Sequence, residues 1–178
     1  MLAVGTKDGR IRLMDAATGI MRWEVQGCEG GRACTVAMSP DGRFVASLGG
    51  GEENWKLWDV ASGVVCMTGA RHDGTGACIC GPGHQSLKAC PVVAHTRDLC
   101  AVAFSPCGKR LATGGQDFVV ILWDAQTGKV ELVLQGHTWD IRTLTFSADG
   151  NRLASGGFDG LIHVNPNPAP LKPKPQPP

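Results

Sequence analysis

Two sets of residues in this chain combine the side chains of a nucleophile, a base and an orienting acid. His95, Thr113 and Asp117 form the first set, and a histidine, a hydroxyl and a carboxylate can carry out acyl transfer when the histidine activates the hydroxyl. The second set follows 42 residues later and consists of His137, Ser155 and Asp159. Catalytic sites are seldom repeated once per structural unit, whereas structural contacts are. The repetition therefore favours a structural role over catalysis.

A second candidate for chemistry is a group of potential zinc ligands in a Gly-rich stretch. They follow the spacing Cys-x-Cys-x3-His-x5-Cys and are Cys78, Cys80, His84 and Cys90. Cysteine and histidine bind zinc in tetrahedral sets, but Cys-x-Cys is a poor chelate for one tetrahedral ion. The favoured interpretation is a disordered loop, with zinc binding and a redox pair as alternatives. We therefore predict no bound metal and no cofactor.

The overall composition restricts the classes of partner. The formal charge is +1, which gives no electrostatic footprint for nucleic acid or an anionic membrane. No apolar run approaches the ~18 residues of a membrane span, and no secretion signal is visible. We expect a cytoplasmic protein, with a nuclear location as the alternative. In that compartment the 8 cysteines should be reduced.

A repeat of 42 residues sets the positions of the two His–hydroxyl–Asp sets. Arg110-Leu111-Ala112-Thr113-Gly114-Gly115 corresponds to Arg152-Leu153-Ala154-Ser155-Gly156-Gly157. A period of about 40–45 residues is typical of a propeller blade with four strands. Each unit also has short stretches of alternating apolar residues, separated by turns rich in Gly, Pro, Ser and Asp. The sequence predicts an all-β fold of four-stranded antiparallel blades.

The repeat divides the chain into four blade units, a loop and a tail. Residues 1–165 are predicted to form the propeller segment, with blade units at 1–27, 28–71, 95–136 and 137–165. Residues 72–94 are an inserted loop, and the Pro-rich tail 166–178 is expected to be disordered because proline cannot continue a strand. The first unit lacks its innermost strand and the last lacks its outermost one. An arc of this kind leaves strand edges unpaired, through which copies of the chain could associate.

These units resemble the WD-repeat β-propeller family. Trp58-Asp59 and Trp123-Asp124 form the dipeptide that gives the family its name, and Gly136-His137 is its other marker. The resemblance implies an incomplete ring of about three and a half blades. It also implies that His95, Thr113, Asp117 and Trp123 form a complete buried hydrogen-bonded tetrad in the third unit. The corresponding set in the fourth unit is His137, Ser155 and Asp159. In the fourth unit Asn165 replaces the tryptophan.

The resemblance further implies a non-enzymatic scaffold that binds other proteins or peptides. The candidate contacts follow each His position and are Thr96, Arg97, Asp98, Thr138, Trp139 and Asp140. One alternative is a metal-responsive, zinc-binding module built on the Cys/His loop. Another is a substrate receptor of a ubiquitin ligase, although the expected Trp-Asp-x-Arg is absent because Ala61 and Gln126 occupy the arginine position. We also expect the chain to be a fragment of a larger propeller protein.

Overall fold

The computed structural model describes residues 1–28, 35–49, 53–70 and 95–166, and every regular element among them is a β-strand. The first sheet contains β1 (Leu2–Gly5), β2 (Arg10–Met14) and β3 (Met21–Gln26). The second contains β4 (Thr35–Met38), β5 (Phe44–Leu48), β6 (Glu53–Asp59) and β7 (Val65–Ala70). The third contains β8 (Leu99–Phe104), β9 (Arg110–Gly115), β10 (Val120–Asp124) and β11 (Val130–Leu134). The fourth contains β12 (Ile141–Phe146), β13 (Arg152–Gly157) and β14 (Ile162–Pro166).

In each sheet the strands lie in chain order and pair antiparallel. Close packing joins consecutive sheets through their first strands, as β4 contacts β8 and β8 contacts β12. Among the described residues the four sheets do not close into a ring. The predicted fold class, an incomplete β-propeller of antiparallel blades, is therefore confirmed. The described part of the chain contains no helix with the length and hydropathy of a membrane span.

The sheets pack face to face because neighbouring residues of one strand point to opposite sides. In β10, Ile121 and Trp123 belong to a core shared with the second sheet, where they meet Trp55. Val120 and Leu122 of the same strand belong to a core shared with the fourth sheet. All four side chains are at most 3% exposed. A strand buried on both faces explains the nearly continuous apolar run in the sequence.

Strand boundaries differ from the prediction at two places that matter for the site. The alternating apolar residues of the third unit predict a strand over residues 118–123, but β10 begins at Val120. Phe118 instead lies in the turn with φ 67°, the one described non-glycine residue with a positive φ. The sequence pattern does not indicate this turn position, because an aromatic residue next to a valine is typical of a strand. β14 also extends to Pro166, the first residue of the tail that was expected to be disordered.

The alternation of strand direction gives the sheets two distinct ends. At one end, which we call the linker end, lie the segments 95–98 and 137–140 that enter the third and fourth sheets. The turn between β9 and β10 and the turn between β13 and β14 lie at the same end, since their backbone amides bond to Asp98 and Asp140. The turn between β6 and β7 lies at the opposite end, where the amide of Val60 donates to the carbonyl of Arg43 in the turn between β4 and β5.

The expected reduced state holds for only part of the cysteine set. Cys66, Cys100 and Cys107 form no disulfide, as predicted. Cys28 is in a disulfide. The expectation of reduced thiols was wrong for Cys28, because an argument from compartment does not consider which sulfur atoms the fold brings together.

Candidate functional site

The first His–hydroxyl–Asp set forms a continuous chain of hydrogen bonds through the third sheet. Trp123 Nε1 donates to Thr113 Oγ1 at 2.7 Å, and that hydroxyl lies 2.8 Å from His95 Nε2. His95 Nδ1 lies 2.8 Å from Asp117 Oδ2 and donates to it, since a carboxylate only accepts. In the neutral ring Nε2 is then the acceptor of the Thr113 proton. The chain links β10, β9, the segment before β8 and the turn before β10.

Burial of this chain bears on its chemistry. Thr113 is 0% exposed and His95 is 1% exposed. The hydroxyl that would serve as a nucleophile therefore has no solvent-facing side, and it is engaged by both Trp123 and His95. Buried polar groups of this kind stabilise a fold when every member is hydrogen-bonded. The arrangement suits a brace between strands better than it suits attack on a substrate.

The brace also anchors the segment that leads into the third sheet. Asp117 Oδ2 accepts a hydrogen bond from the backbone amide of Thr96 at 3.0 Å. In return, the amide of Gln116 donates to the carbonyl of Asp98. Gly115 is required for this close approach, because a Cβ there would lie 2.1 Å from the Asp98 carbonyl oxygen. Side chains in segment 95–98 are thus presented from a fixed backbone.

The fourth sheet repeats the brace without its tryptophan. His137 Nδ1 lies 2.8 Å from Asp159 Oδ2, and Nε2 lies 2.9 Å from Ser155 Oγ. Asn165 pairs with Leu153 as Trp123 pairs with Leu111, so it occupies the tryptophan position. The ring of His163 packs instead against His137, with 4.4 Å between the ring centroids. The sequence comparison did not single out His163.

Both aspartates of the braces are held in the charged form. Burial of the Asp159 carboxylate opposes ionisation. Hydrogen bonds from the amides of Leu161 and Thr138 and from His137 outweigh burial and lower its pKa from 3.8 to about 2. Burial likewise opposes ionisation of Asp117, but the hydrogen bonds from His95 and from the amide of Thr96 prevail and lower its pKa. Each carboxylate therefore remains an acceptor for its histidine at neutral pH.

The residues predicted to contact a partner lie together at the linker end. Trp139 is 59% exposed, although a ring of its size is usually covered in a soluble protein. Exposed residues around it are Thr96, Arg97 and Thr138, and half-buried ones are Asp98 and Asp140. The carboxylate of Asp140 accepts a hydrogen bond from Arg142 at 2.9 Å. Segments 95–98 and 137–140 occupy equivalent places in neighbouring sheets.

Three further side chains at the linker end were not anticipated. Phe158 is 62% exposed, and the guanidinium of Arg142 lies over its ring at 4.1 Å from the centroid. Phe118 is 36% exposed and keeps an aromatic ring where the equivalent turn of the fourth sheet has Gly160. The exposure of Phe118 could have been predicted by aligning the repeats. Glycine at the equivalent turn position of the fourth unit indicates that no side chain is needed there for the core. The potential zinc ligands Cys78, Cys80, His84 and Cys90 lie outside the described residues.

Comparison with known proteins agrees with this geometry. The sequence matches the family described as "WD domain, G-beta repeat" at residues 85–124 and 128–164. Two segments of the chain are thus similar to WD repeats. The Trp123-Asp124 dipeptide ends the first matched repeat, and the brace of the fourth sheet lies in the second. Proteins with these repeats generally act as non-enzymatic scaffolds that bind other proteins.

One relative and one solved structure extend the comparison. The chain is similar to Protein HIR1 of Yarrowia lipolytica, with 31% identity over 102 residues. The match spans 54% of this chain but only 9% of that protein. The fold is similar to the crystal structure of the computationally designed Ika4 protein, with a TM-score of 0.66 and 21% identity. That alignment covers 92% of this chain and 83% of the designed one and bears on the fold alone.

Proposed function

We propose that this protein is a non-catalytic scaffold of the WD-repeat type that binds another protein or a peptide at its linker end. The observation that carries the proposal is the exposure of Trp139 on a segment whose backbone is fixed by the buried brace. The amide of Thr138 donates to Asp159 Oδ2 at 3.0 Å, and the carbonyl of Asp140 accepts from Phe158. Trp139 therefore stands between two anchored residues. Binding by a fixed segment loses little conformational entropy.

The neighbouring side chains support a protein or peptide as the partner. Exposed aromatic and arginine side chains are the residue types that contribute most to protein interfaces. The linker end presents the exposed aromatic rings of Trp139, Phe158 and Phe118. Arg142 lies between the Phe158 ring and the Asp140 carboxylate. Thr138 adds a hydroxyl next to them. These groups combine apolar area with hydrogen-bond donors, as the centre of an interface requires.

The test compares two truncations of exposed apolar residues at opposite ends of the sheets. Trp139→Ala should weaken partner capture from cell extract by at least tenfold, which corresponds to about 1.4 kcal/mol. Val64→Ala is the matched control, since Val64 is 61% exposed in the turn between β6 and β7 at the opposite end. Bound proteins would be quantified by mass spectrometry with wild-type protein as reference. Both variants should melt within a few degrees of wild type.

Two results would contradict the proposal. Loss of the same bound proteins with Val64→Ala would mean that capture does not depend on the linker end. A fall in melting temperature with Trp139→Ala that matches its loss of binding would mean that the ring packs on the fold rather than on a partner. A retained melting temperature with selective loss of binding supports the proposal.

We further propose that the functional unit is a larger protein that includes this segment. Among the described strands, none pairs with the outer edge of β14, where Ile162 and Val164 are 77% and 56% exposed. The similar HIR1 protein is much longer than the region that matches. An immunoblot of source cells with an antibody against residues 138–160 tests this. A band well above 18.7 kDa supports it, and a single band at 18.7 kDa contradicts it.

A further inference from the structure

The fourth sheet differs from the third by one exchange that creates a second imidazole in the brace. His163 stands opposite Ser155 in the strand register, where the third sheet has Ile121 opposite Thr113. Cross-strand partners point to the same face, so both histidine rings and the Ser155 hydroxyl meet there. Gly136 leaves room for the second ring, since a Cβ at Gly136 would lie 3.0 Å from His163 Cε1.

The added histidine brings a buried donor or acceptor with no partner. His163 Nε2 is buried and makes no hydrogen bond among the described residues. A buried polar atom without a partner destabilises the fold, so its retention calls for an explanation. Its surroundings offer one. One nitrogen of each histidine and one carboxylate oxygen of Asp159 lie within 4.8 Å of one another.

We propose that His137, Asp159 and His163 bind a divalent transition-metal ion, for which Zn²⁺ is the probe. Two imidazoles and one carboxylate form a ligand set that suits zinc and leaves a fourth position open to water. Ligand atoms around tetrahedral zinc lie about 3.3 Å apart at metal–nitrogen distances of about 2.0–2.1 Å. His137 Nδ1 already lies 2.8 Å from Asp159 Oδ2, and a rotation of the half-buried His163 side chain can bring the third ligand close to that spacing.

The fourth sheet can bind the ion without leaving a residue of the brace lacking a hydrogen bond. His137 Nδ1 donates to Asp159 in the absence of metal, so metal binding at Nδ1 moves that proton to Nε2. Nε2 then donates to Ser155 Oγ, which has an unused lone pair because Asn165 replaces the tryptophan donor. The imidazole stays neutral and no proton is lost. Asp159 keeps the hydrogen bonds from the amides of Thr138 and Leu161, which orient a ligating carboxylate.

The test measures zinc stoichiometry of the tag-free full chain before and after removal of one ligand. Metal-stripped wild type and His163→Ile are each titrated with ZnCl2 in a calorimeter. Isoleucine is the residue of the third sheet at this place, so the variant should fold, which a metal-free melt checks. We expect wild type to bind one molar equivalent more than His163→Ile. Zinc should also raise the melting temperature of wild type more than that of the variant.

The difference between the two proteins isolates the site from any zinc bound by cysteines elsewhere, because both retain them. Equal stoichiometry in wild type and His163→Ile would overturn the proposal. If His163→Ile fails to fold, His163→Gln takes its place, with the same two readings. Proton NMR adds an independent measure, since the ring signals of His137 and His163 should shift with zinc while those of His95 stay unchanged. Parallel shifts of all three would also overturn the assignment.

Discussion

Replacement of Thr113 by valine should destabilise the fold more than removal of the corresponding hydroxyl in the fourth sheet. Thr113 Oγ1 serves two buried partners, Trp123 Nε1 and His95 Nε2. Valine has nearly the same shape but no hydroxyl, so Thr113→Val removes the hydrogen bond that Trp123 Nε1 and His95 Nε2 each make to Thr113. Each stranded buried group costs about 1–3 kcal/mol. The expected loss in free energy of unfolding is therefore about 4 kcal/mol.

Ser155→Ala provides the matched control. Ser155 Oγ bonds to His137 Nε2 at 2.9 Å, and no tryptophan donates to it, so the variant strands one group and should cost about 2 kcal/mol. For a chain of this length 1 kcal/mol corresponds to about 2–4 °C in melting temperature. Thr113→Val should then lower the melting temperature by about 8–16 °C, and Ser155→Ala by about 4–8 °C.

Urea unfolding of the two variants and a double-mutant cycle with Trp123→Phe would test the argument. In wild type, Trp123→Phe removes a donor that Thr113 accepts. In Thr113→Val that donor is already stranded, so Trp123→Phe should cost about 1–2 kcal/mol less. Equal losses for Thr113→Val and Ser155→Ala, or a coupling energy near zero, would refute the view that one hydroxyl serves two partners. The control would then have shown that the tryptophan bond contributes nothing.

Three further predictions address other parts of the structure. Wild type should lose stability as the pH falls from about 4 towards 2, because the low pKa of folded Asp159 contributes stability only while the carboxylate is ionised. In Asp159→Asn, acid unfolding curves should show a shallower dependence of the free energy of unfolding on pH. Gly69→Ala should cost about 1–3 kcal/mol in urea unfolding, because its Cβ would lie 1.8 Å from Trp55 Nε1 in the core. Ile162→Lys should reduce self-association in sedimentation velocity, because a charge on the exposed edge of β14 discourages strand pairing.

Each of these has a contrary result. An unchanged acid dependence in Asp159→Asn would mean that other carboxylates account for the loss at low pH. Gly69→Ala with wild-type stability would mean that the Trp55 ring can move aside, while Gly114→Ala offers a milder case, since its Cβ would meet only the Ile141 methyl at 3.0 Å. A concentration-dependent mass that Ile162→Lys leaves unaltered would locate self-association elsewhere than β14.

The repeat made much of the fold predictable from the sequence. The fixed spacing locates the brace histidine and aspartate of the third unit, His95 and Asp117, and those of the fourth unit, His137 and Asp159. The alternation of apolar residues locates the strands with few errors in their ends. Such features depend on residues close in sequence or on a period, both of which can be read without coordinates. Phe118 shows the limit, since its composition favours a strand while hydrogen bonds of the turn hold it at φ 67°. At Phe118 the tertiary arrangement therefore overrides the local strand propensity.

Features that depend on contacts across strands were not predictable in the same way. His163 reads as one polar residue in an apolar strand, and its significance appears only in the register that places it opposite Ser155. The need for glycine at position 69 arises from the ring of Trp55 on the neighbouring strand. Both contacts depend on three-dimensional packing, which a single sequence does not encode in any short pattern.

The unequal braces bear on how the proposed binding surface would behave. Segment 137–140 is anchored by His137 and Asp159, whose brace lacks the tryptophan bond, whereas segment 95–98 is anchored by the complete one. Fewer hydrogen bonds make local opening of the fourth sheet easier than that of the third. Any ligand that binds only the closed form, whether a partner on Trp139 or a metal ion on His163, stabilises that form by mass action. The weaker brace therefore makes the fourth sheet the part of the fold whose stability responds most to binding.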